Sequence, residues 1–414
     1  MILCPLVLSG CLVMWWPPSL PRRSLPAATH PASPQASSSG EAFPLPDLPI
    51  AELPGAPVVA LWSPEPGGQI RVSVWRSGSV RGLLVVPLLN PDPVYLDHVR
   101  VSVSPNGRFV AVIEAPREST ITTAFVRIFS ATGDLVWTGP PDVSASPTTR
   151  WSPDGSRFAV DARGRWIVVS PTASGPADTV EIDTRRPRQA VDQIAYPWEL
   201  LDFSEDGSTL YGAVMLGVDR SSRPIARATA SGGQVEPLAA LPTKAGERLA
   251  YPSQRSERTL DPAIDPETGR LATLGSCDPT LQCEIEIRGG GRVQRSGPAR
   301  RFGGVDDLAW QHGSIVILHD DRTGASPVQD LGLMKVGKDL GQERSVASFD
   351  LVGQHGRLVA VTDDFVLLGF GRGLPEVPSR LVLVRLSDGA RSAIDLDGAS
   401  STPELFGFAG WLRE

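Results

Sequence analysis

The chain has 414 residues, of which 41% are hydrophobic, 21% charged and 6% aromatic, which is enough apolar material for a sizeable core and excludes a chain disordered throughout. Its 39 Lys and Arg against 46 Asp and Glu leave a net charge of −7, which excludes a generally basic nucleic-acid-binding protein. Gly 41 and Pro 39 recur without a collagen period, so turns are frequent.

Residues 1–16 are almost wholly apolar, shorter than the roughly 20 residues that a spanning helix needs and in the range of a secretory leader. Within them Leu8-Ser9-Gly10-Cys11 resembles the bacterial lipobox, which implies a lipid on Cys11; an uncleaved anchor or an ordinary signal peptide is the other reading of this run. Residues 17–57 carry eleven prolines and several serines and cannot build a core, so an extended tether is expected there. These features predict an exported protein, in the periplasm or tethered to the outer face of the cytoplasmic membrane through its lipid anchor.

From residue 58 the chain repeats itself. Ser104-Pro105-Asn106-Gly107, Ser152-Pro153-Asp154-Gly155 and Ser204-Glu205-Asp206-Gly207 each lie between two apolar runs, with weaker copies at Asp265-Pro266-Glu267-Thr268-Gly269, Gln311-His312-Gly313 and Gln354-His355-Gly356. Pro presets φ and Gly tolerates a positive φ, so each copy predicts a hairpin. The turn glycines are 48, 52, 62, 44 and 43 residues apart, the length of one four-stranded antiparallel sheet. A first unit (Val58 to Ser63, Gln69 to Trp75, Val80 to Pro87) has three strands, and Leu405 to Trp411 reads as its missing fourth. Pairing the two chain ends removes both open edges. The prediction is an all-β, seven-bladed β-propeller over residues 58–412, with four-stranded antiparallel blades and a ring closed by the C-terminal strand.

These turns resemble the WD40-like repeats of TolB-type β-propellers, found also in the propellers of prolyl oligopeptidase-like enzymes. The resemblance implies the fold. Within this chain no α/β domain precedes the repeats and no hydrolase domain follows them, so neither family's activity is carried over.

Beyond the leader, the cysteines are Cys277 and Cys283, in two β-like runs joined by Asp278-Pro279. Hairpin pairing would bring their sulfurs within bridging distance, and a disulfide agrees with export.

The chain has no G-x-S-x-G elbow, P-loop or H-E-x-x-H, and its five histidines are scattered. Aligning the first strand of each repeat places Asp261, Asp307 and Asp350 at one register, where three carboxylates would face a channel mouth from consecutive blades. Such a set can hold Ca²⁺ or another divalent cation, which gives a metal-dependent hydrolase or lactonase as the alternative function. Asp capping the preceding loop is the other reading.

The connections between repeats are expected on one face, and three of them are basic. Arg185, Arg186 and Arg188 are followed by Tyr196 and Trp198; Lys244 and Arg248 by Tyr251, Arg255 and Arg258; the next connection carries Arg300 and Arg301. Nine basic residues there face three acidic ones, Asp192, Glu247 and Glu257. Arginines with aromatics suit a cell-envelope protein or an anionic polymer. Arginine enrichment by codon bias is the competing explanation, since only three of the 39 basic residues are lysine. The leading expectation is a monomeric, non-catalytic binding protein without a cofactor and without nucleic acid.

Overall fold

The computed structural model describes residues 53–89, 99–115, 123–143, 147–173, 175–185, 198–213, 225–239, 241–242, 244–250, 263–265, 270–277, 282–289, 292–295, 302–303, 305–311, 313–320, 329–351, 355–371, 380–394 and 407–413. All of them belong to the second of two units into which the chain divides, Leu45–Glu414.

The described residues form seven antiparallel sheets. Sheet 1 contains β1 (Val58–Glu65), β2 (Gln69–Arg76) and β3 (Ser79–Pro87). Sheet 2 contains β4 (Val99–Val103), β5 (Phe109–Glu114), β6 (Phe125–Ser130) and β7 (Leu135–Thr138), and sheet 3 contains β8 (Thr149–Trp151), β9 (Phe158–Ala162), β10 (Arg165–Ser170) and β11 (Asp178–Asp183). Sheet 4 contains β12 (Glu199–Phe203), β13 (Thr209–Ala213), β14 (Ile225–Thr229) and β15 (Glu236–Leu238). Sheet 5 contains β16 (Ala263–Ile264), β17 (Leu271–Cys277), β18 (Gln282–Gly289) and β19 (Arg292–Arg295), with β20 (Phe302–Gly303) also on β18. Sheet 6 contains β21 (Val305–Gln311), β22 (Ser314–Asp320), β23 (Gln329–Gly337) and β24 (Arg344–Leu351), and sheet 7 contains β25 (His355–Val361), β26 (Phe365–Gly371), β27 (Arg380–Arg385) and β28 (Arg391–Ile394). The last strand, β29 (Gly407–Leu412), pairs antiparallel with β1, Val59 opposite Trp411, so sheet 1 has the order β29-β1-β2-β3.

Side chains alternate along a strand, and here both faces of a sheet meet another sheet. In β1, Ala60 and Trp62 join the core with Val101 and Val112 of sheet 2, while Val59 and Leu61 join Leu367 and Leu381 of sheet 7. This double burial is why β1 opens with an unbroken apolar run, Val-Val-Ala-Leu-Trp, rather than an alternating one. Sheets 2 and 3 share a core through Ile128 and Phe158, sheets 3 and 4 through Trp166 and Leu210, sheets 5 and 6 through Ile287 and Trp310, and sheets 6 and 7 through Val316 and Phe370. A buried ion pair also ties sheet 1 to sheet 2. The Arg127 guanidinium donates to Glu114 at 2.5 Å and to the Pro87 carbonyl at 2.7 Å, and Glu114 accepts from the Leu89 amide at 2.7 Å.

Two boundaries differ from the sequence reading. Leu53, assigned to the tether, is 5% exposed and packs in the core between sheets 7 and 1, so the folded part begins before residue 58. Gly356 does not form a hairpin turn: it lies inside β25, and the turn joining β25 to β26 falls at Thr362–Asp364 instead. Gln-His-Gly has turn composition, but Leu358 of this segment is buried against sheet 6, and that packing decides the strand. No helix among the described residues is long and apolar enough to cross a membrane.

Candidate functional site at the ends of the first strands

The Ser-x-Asx-Gly turns place the ends of the first strands side by side. In each of the three strong copies the serine carbonyl accepts from the glycine amide, at 2.7 Å for Gly107 and 2.8 Å for Gly155 and Gly207, and the glycines hold φ near +70°. The serine hydroxyl donates to the Asx side chain: Ser104 to Asn106 at 2.8 Å, Ser152 to Asp154 at 2.5 Å and Ser204 to Asp206 at 2.6 Å. The Ser204 hydroxyl, with the Ser208 amide and hydroxyl, holds the Asp206 carboxyl below the usual range. Asp154 is also lowered: its partial burial opposes ionisation, but the hydrogen bonds from Ser152 and Ser156 outweigh it. The turns then interlock between sheets. The Asn106 amide donates to the Asp154 carbonyl at 2.9 Å, and the Arg157 guanidinium donates to the Gly207 carbonyl at 3.0 Å.

A cavity of about 380 Å³ opens at these strand ends, and its wall is drawn from five sheets. Sheet 3 supplies Arg150 and Trp151, sheet 4 Asp202, sheet 2 the Pro105 turn, sheet 7 the turn from Thr362 to Phe365, and sheet 1 the end of β29 at Trp411 and Leu412. Arg413 follows, its amide donating to the Pro105 carbonyl at 2.7 Å. Alternation along the first strands explains the polar wall. Trp151 and Phe203 enter the cores between sheets, so Arg150 and Asp202, one residue earlier, take the other side. Asp202 is 6% exposed, and burial pushes its carboxyl up to about 7 although the neighbouring Arg150 charge and a hydrogen bond from the Phe203 amide, 2.8 Å, pull it down. Asp161 on β9 is likewise pushed up to about 7 by burial, against a 3.4 Å hydrogen bond from the Leu200 amide and with the Glu199 charge adding to the rise.

The predicted site residues are dispersed. Trp198 is not a surface aromatic: it is 5% exposed, packs in the core of sheets 3 and 4, and its carbonyl accepts from the Trp166 indole at 2.9 Å. Arg185 is exposed and paired with Asp183 at 2.6 Å, which holds that carboxyl down to about 2. Lys244 is exposed and paired with Glu247 at 3.2 Å. The segment of Lys244 and Arg248 returns to the turn of sheet 4, where the Arg248 carbonyl accepts from Glu205 and the Gly246 carbonyl from Asp206. That excursion brings Ala250 into the cavity wall and accounts for the longest repeat spacing, Gly207 to Gly269. Arg186, Arg188, Tyr196, Tyr251, Arg255, Arg258, Arg300, Arg301 and the lipobox Cys11 lie outside the described residues.

The proposed carboxylate register also separates. Asp307 is on β21, the first strand of sheet 6, whereas Asp350 is on β24 at the opposite edge of the same sheet, paired with Asp330. The equivalence rested on Gly356 as a turn, and it ends with that turn. Asp261 lies outside the described residues. Among the described residues no three His, Cys, Asp or Glu side chains come together as a metal's ligands would. Cys277 and Cys283 occupy directly opposed positions of β17 and β18.

No family model matches this chain, and no curated protein matches it. Solved structures similar to it include the putative TolB from Agrobacterium tumefaciens (16% identity, covering 67% of this chain and 86% of that one, TM-score 0.36) and the β-propeller domain of the Trilobed protease from Pyrococcus furiosus (10% identity, 81% and 97%, TM-score 0.39). An oligogalacturonate lyase in complex with manganese is similar at 10% identity, over 81% of this chain and 84% of that one, with a TM-score of 0.42. Two of these neighbours are named as a TolB and a β-propeller domain; likeness at this level says nothing of activity, substrate or partner.

Proposed function

We propose that the seven sheets are the blades of one ring closed by β29, and that this exported, non-catalytic propeller acts by holding a partner at the mouth formed by the ends of its first strands. The observation that carries the reading is the convergence of sheets 1, 2, 3, 4 and 7 on one cavity, because a shared cavity with walls from five sheets is what a common axis produces. Supporting closure, shared cores join sheet 1 to both sheet 2 and sheet 7. The arginine-bearing connections stay in the proposal as contacts for an acidic cell-envelope partner, with the leader and proline-rich segment as the tether.

The test is site-specific photo-crosslinking in intact cells. A photoreactive residue in place of Asp363 or Arg413, both exposed on the cavity wall, should give one discrete adduct that the same residue at Arg76, an exposed end of β2, does not give. Identical adduct patterns from all three positions, or none from the cavity positions, overturn the reading.

A further inference from the structure

Asp202 is a buried carboxylate to which the described residues donate on one side only. Its Oδ1 accepts from the Phe203 amide at 2.8 Å, while its Oδ2 accepts no hydrogen bond from a described residue. An ionised carboxylate offers about four acceptor positions, so Oδ2 can take a donor that enters the cavity. This group is 6% exposed, yet it lines an open cavity of about 380 Å³, room enough for a small organic molecule. Apolar surface flanks it, from Trp151, Phe365 and Trp411. The charged groups on the same wall are Arg150, Arg413, Asp363 and Asp364, so with Asp202 the acids outnumber the bases by one.

A donor that arrives with a positive charge answers both the open Oδ2 and this charge balance, and an apolar body answers the aromatic wall. We propose that the cavity binds a primary amine in its ammonium form, carried on an apolar body, with an ammonium N–H donating to Asp202 Oδ2 and the body lying against the aromatic side chains. For its location the proposal rests on the function proposed above. A neutral donor satisfies Oδ2 less well, since charge-assisted hydrogen bonds are roughly twice as strong. Small amines and the amino ends of peptides share this chemistry.

Calorimetric titration of the purified full chain tests it with 2-phenylethylamine, 2-phenylethanol, the peptide Phe-Gly-Gly and its N-acetyl form. The amine is expected to bind at least tenfold more tightly than the alcohol, and the free peptide than the acetylated one; whichever amine binds more tightly identifies its source. Because burial keeps the Asp202 carboxyl near 7, ammonium binding should release a proton at pH 6.5, and the affinity for 2-phenylethylamine, which stays protonated throughout, should rise from pH 5.5 to pH 8. Asp202→Asn should abolish the preference of amine over alcohol and the proton release. Equal binding of amine and alcohol by the native chain, no binding of either, or an Asp202→Asn variant that keeps the preference would overturn the proposal. The crosslinking test above reads the partner independently, so discrete adducts from Asp363 and Arg413 without amine binding would sink this inference and leave the proposed function standing.

Discussion

The side-chain amide of Asn106 and the main-chain carbonyl of Asp154 lie 2.9 Å apart, and this one hydrogen bond fastens the turn of sheet 2 to the equivalent turn of sheet 3. Asn106→Asp keeps the acceptor oxygen used by the Ser104 hydroxyl and the Arg108 amide and removes only this donor, so it should lower stability by about 1 kcal/mol, the usual net worth of such a bond. Gly155→Ala should cost more, about 2 kcal/mol or above. Its φ of +70° strains any L side chain, and an added Cβ would sit 2.7 Å from the Asn106 side chain and 2.9 Å from its main-chain nitrogen. Urea unfolding of both variants checks the order, which fails if Gly155→Ala is the milder change.

Removing residues 407–414 deletes β29 and leaves β1 with an unpaired edge. The truncated chain should unfold at a clearly lower urea midpoint and associate through the exposed strand. An unchanged midpoint with a monomeric product would show that the pairing of Val59 with Trp411 contributes nothing to the fold.

The Glu114–Arg127 pair is nine-tenths buried on both sides. Arg127→Met removes the buried cation that faces Glu114 and should cost about 3 to 5 kcal/mol, whereas Arg127→Met with Glu114→Leu should cost much less than the two single changes together. Denaturant titration of the double-mutant cycle measures it, and additive costs would deny the coupling.

Asp161 and Asp202 both titrate near 7 in the folded chain against about 3.9 when unfolded. Between these values the unfolded chain has released protons that the folded chain keeps. The stability these groups contribute is therefore complete below about pH 4 and is lost as pH rises to 7. The unfolding free energy of the native chain minus that of the Asp161→Asn, Asp202→Asn variant should fall between pH 4.5 and 7.5. A difference independent of pH would mean that both carboxyls ionise normally.

Opposed strand positions place Cα atoms about 4.5 to 5.5 Å apart, within the range that a disulfide spans. Cys277 and Cys283 should therefore be oxidised in exported protein. Thiol labelling of the denatured, unreduced chain should find neither free, and labelling of both would exclude the bridge.

The hairpins of sheets 2, 3 and 4 are legible in the sequence because their spelling is a local physical demand: Gly107, Gly155 and Gly207 stand where φ is positive, and the Ser and Asx side chains close each turn on itself. Where tertiary packing rules, the reading slips. Gln354-His355-Gly356 has the same spelling without the same constraint, and Asp350 is displaced with it. Trp198 looks like a recognition residue among arginines, but the core between sheets 3 and 4 takes it. Arg150 and Asp202 carry a signal that an alignment of inward positions passes over. Each is a charged residue just before the apolar anchor of its strand, and only the convergence of separate sheets shows that the two share a cavity.

The order β29-β1-β2-β3 also sets a schedule. A ribosome releases β1 early and β29 last, so the first sheet to emerge is the last to be completed. Until Trp411 reaches Val59, β1 is a template open to any extended chain, and the search for its partner spans almost the whole domain, a closure that slows folding. A prematurely terminated product keeps that edge exposed permanently. Such a product would differ from the finished molecule at a single strand edge.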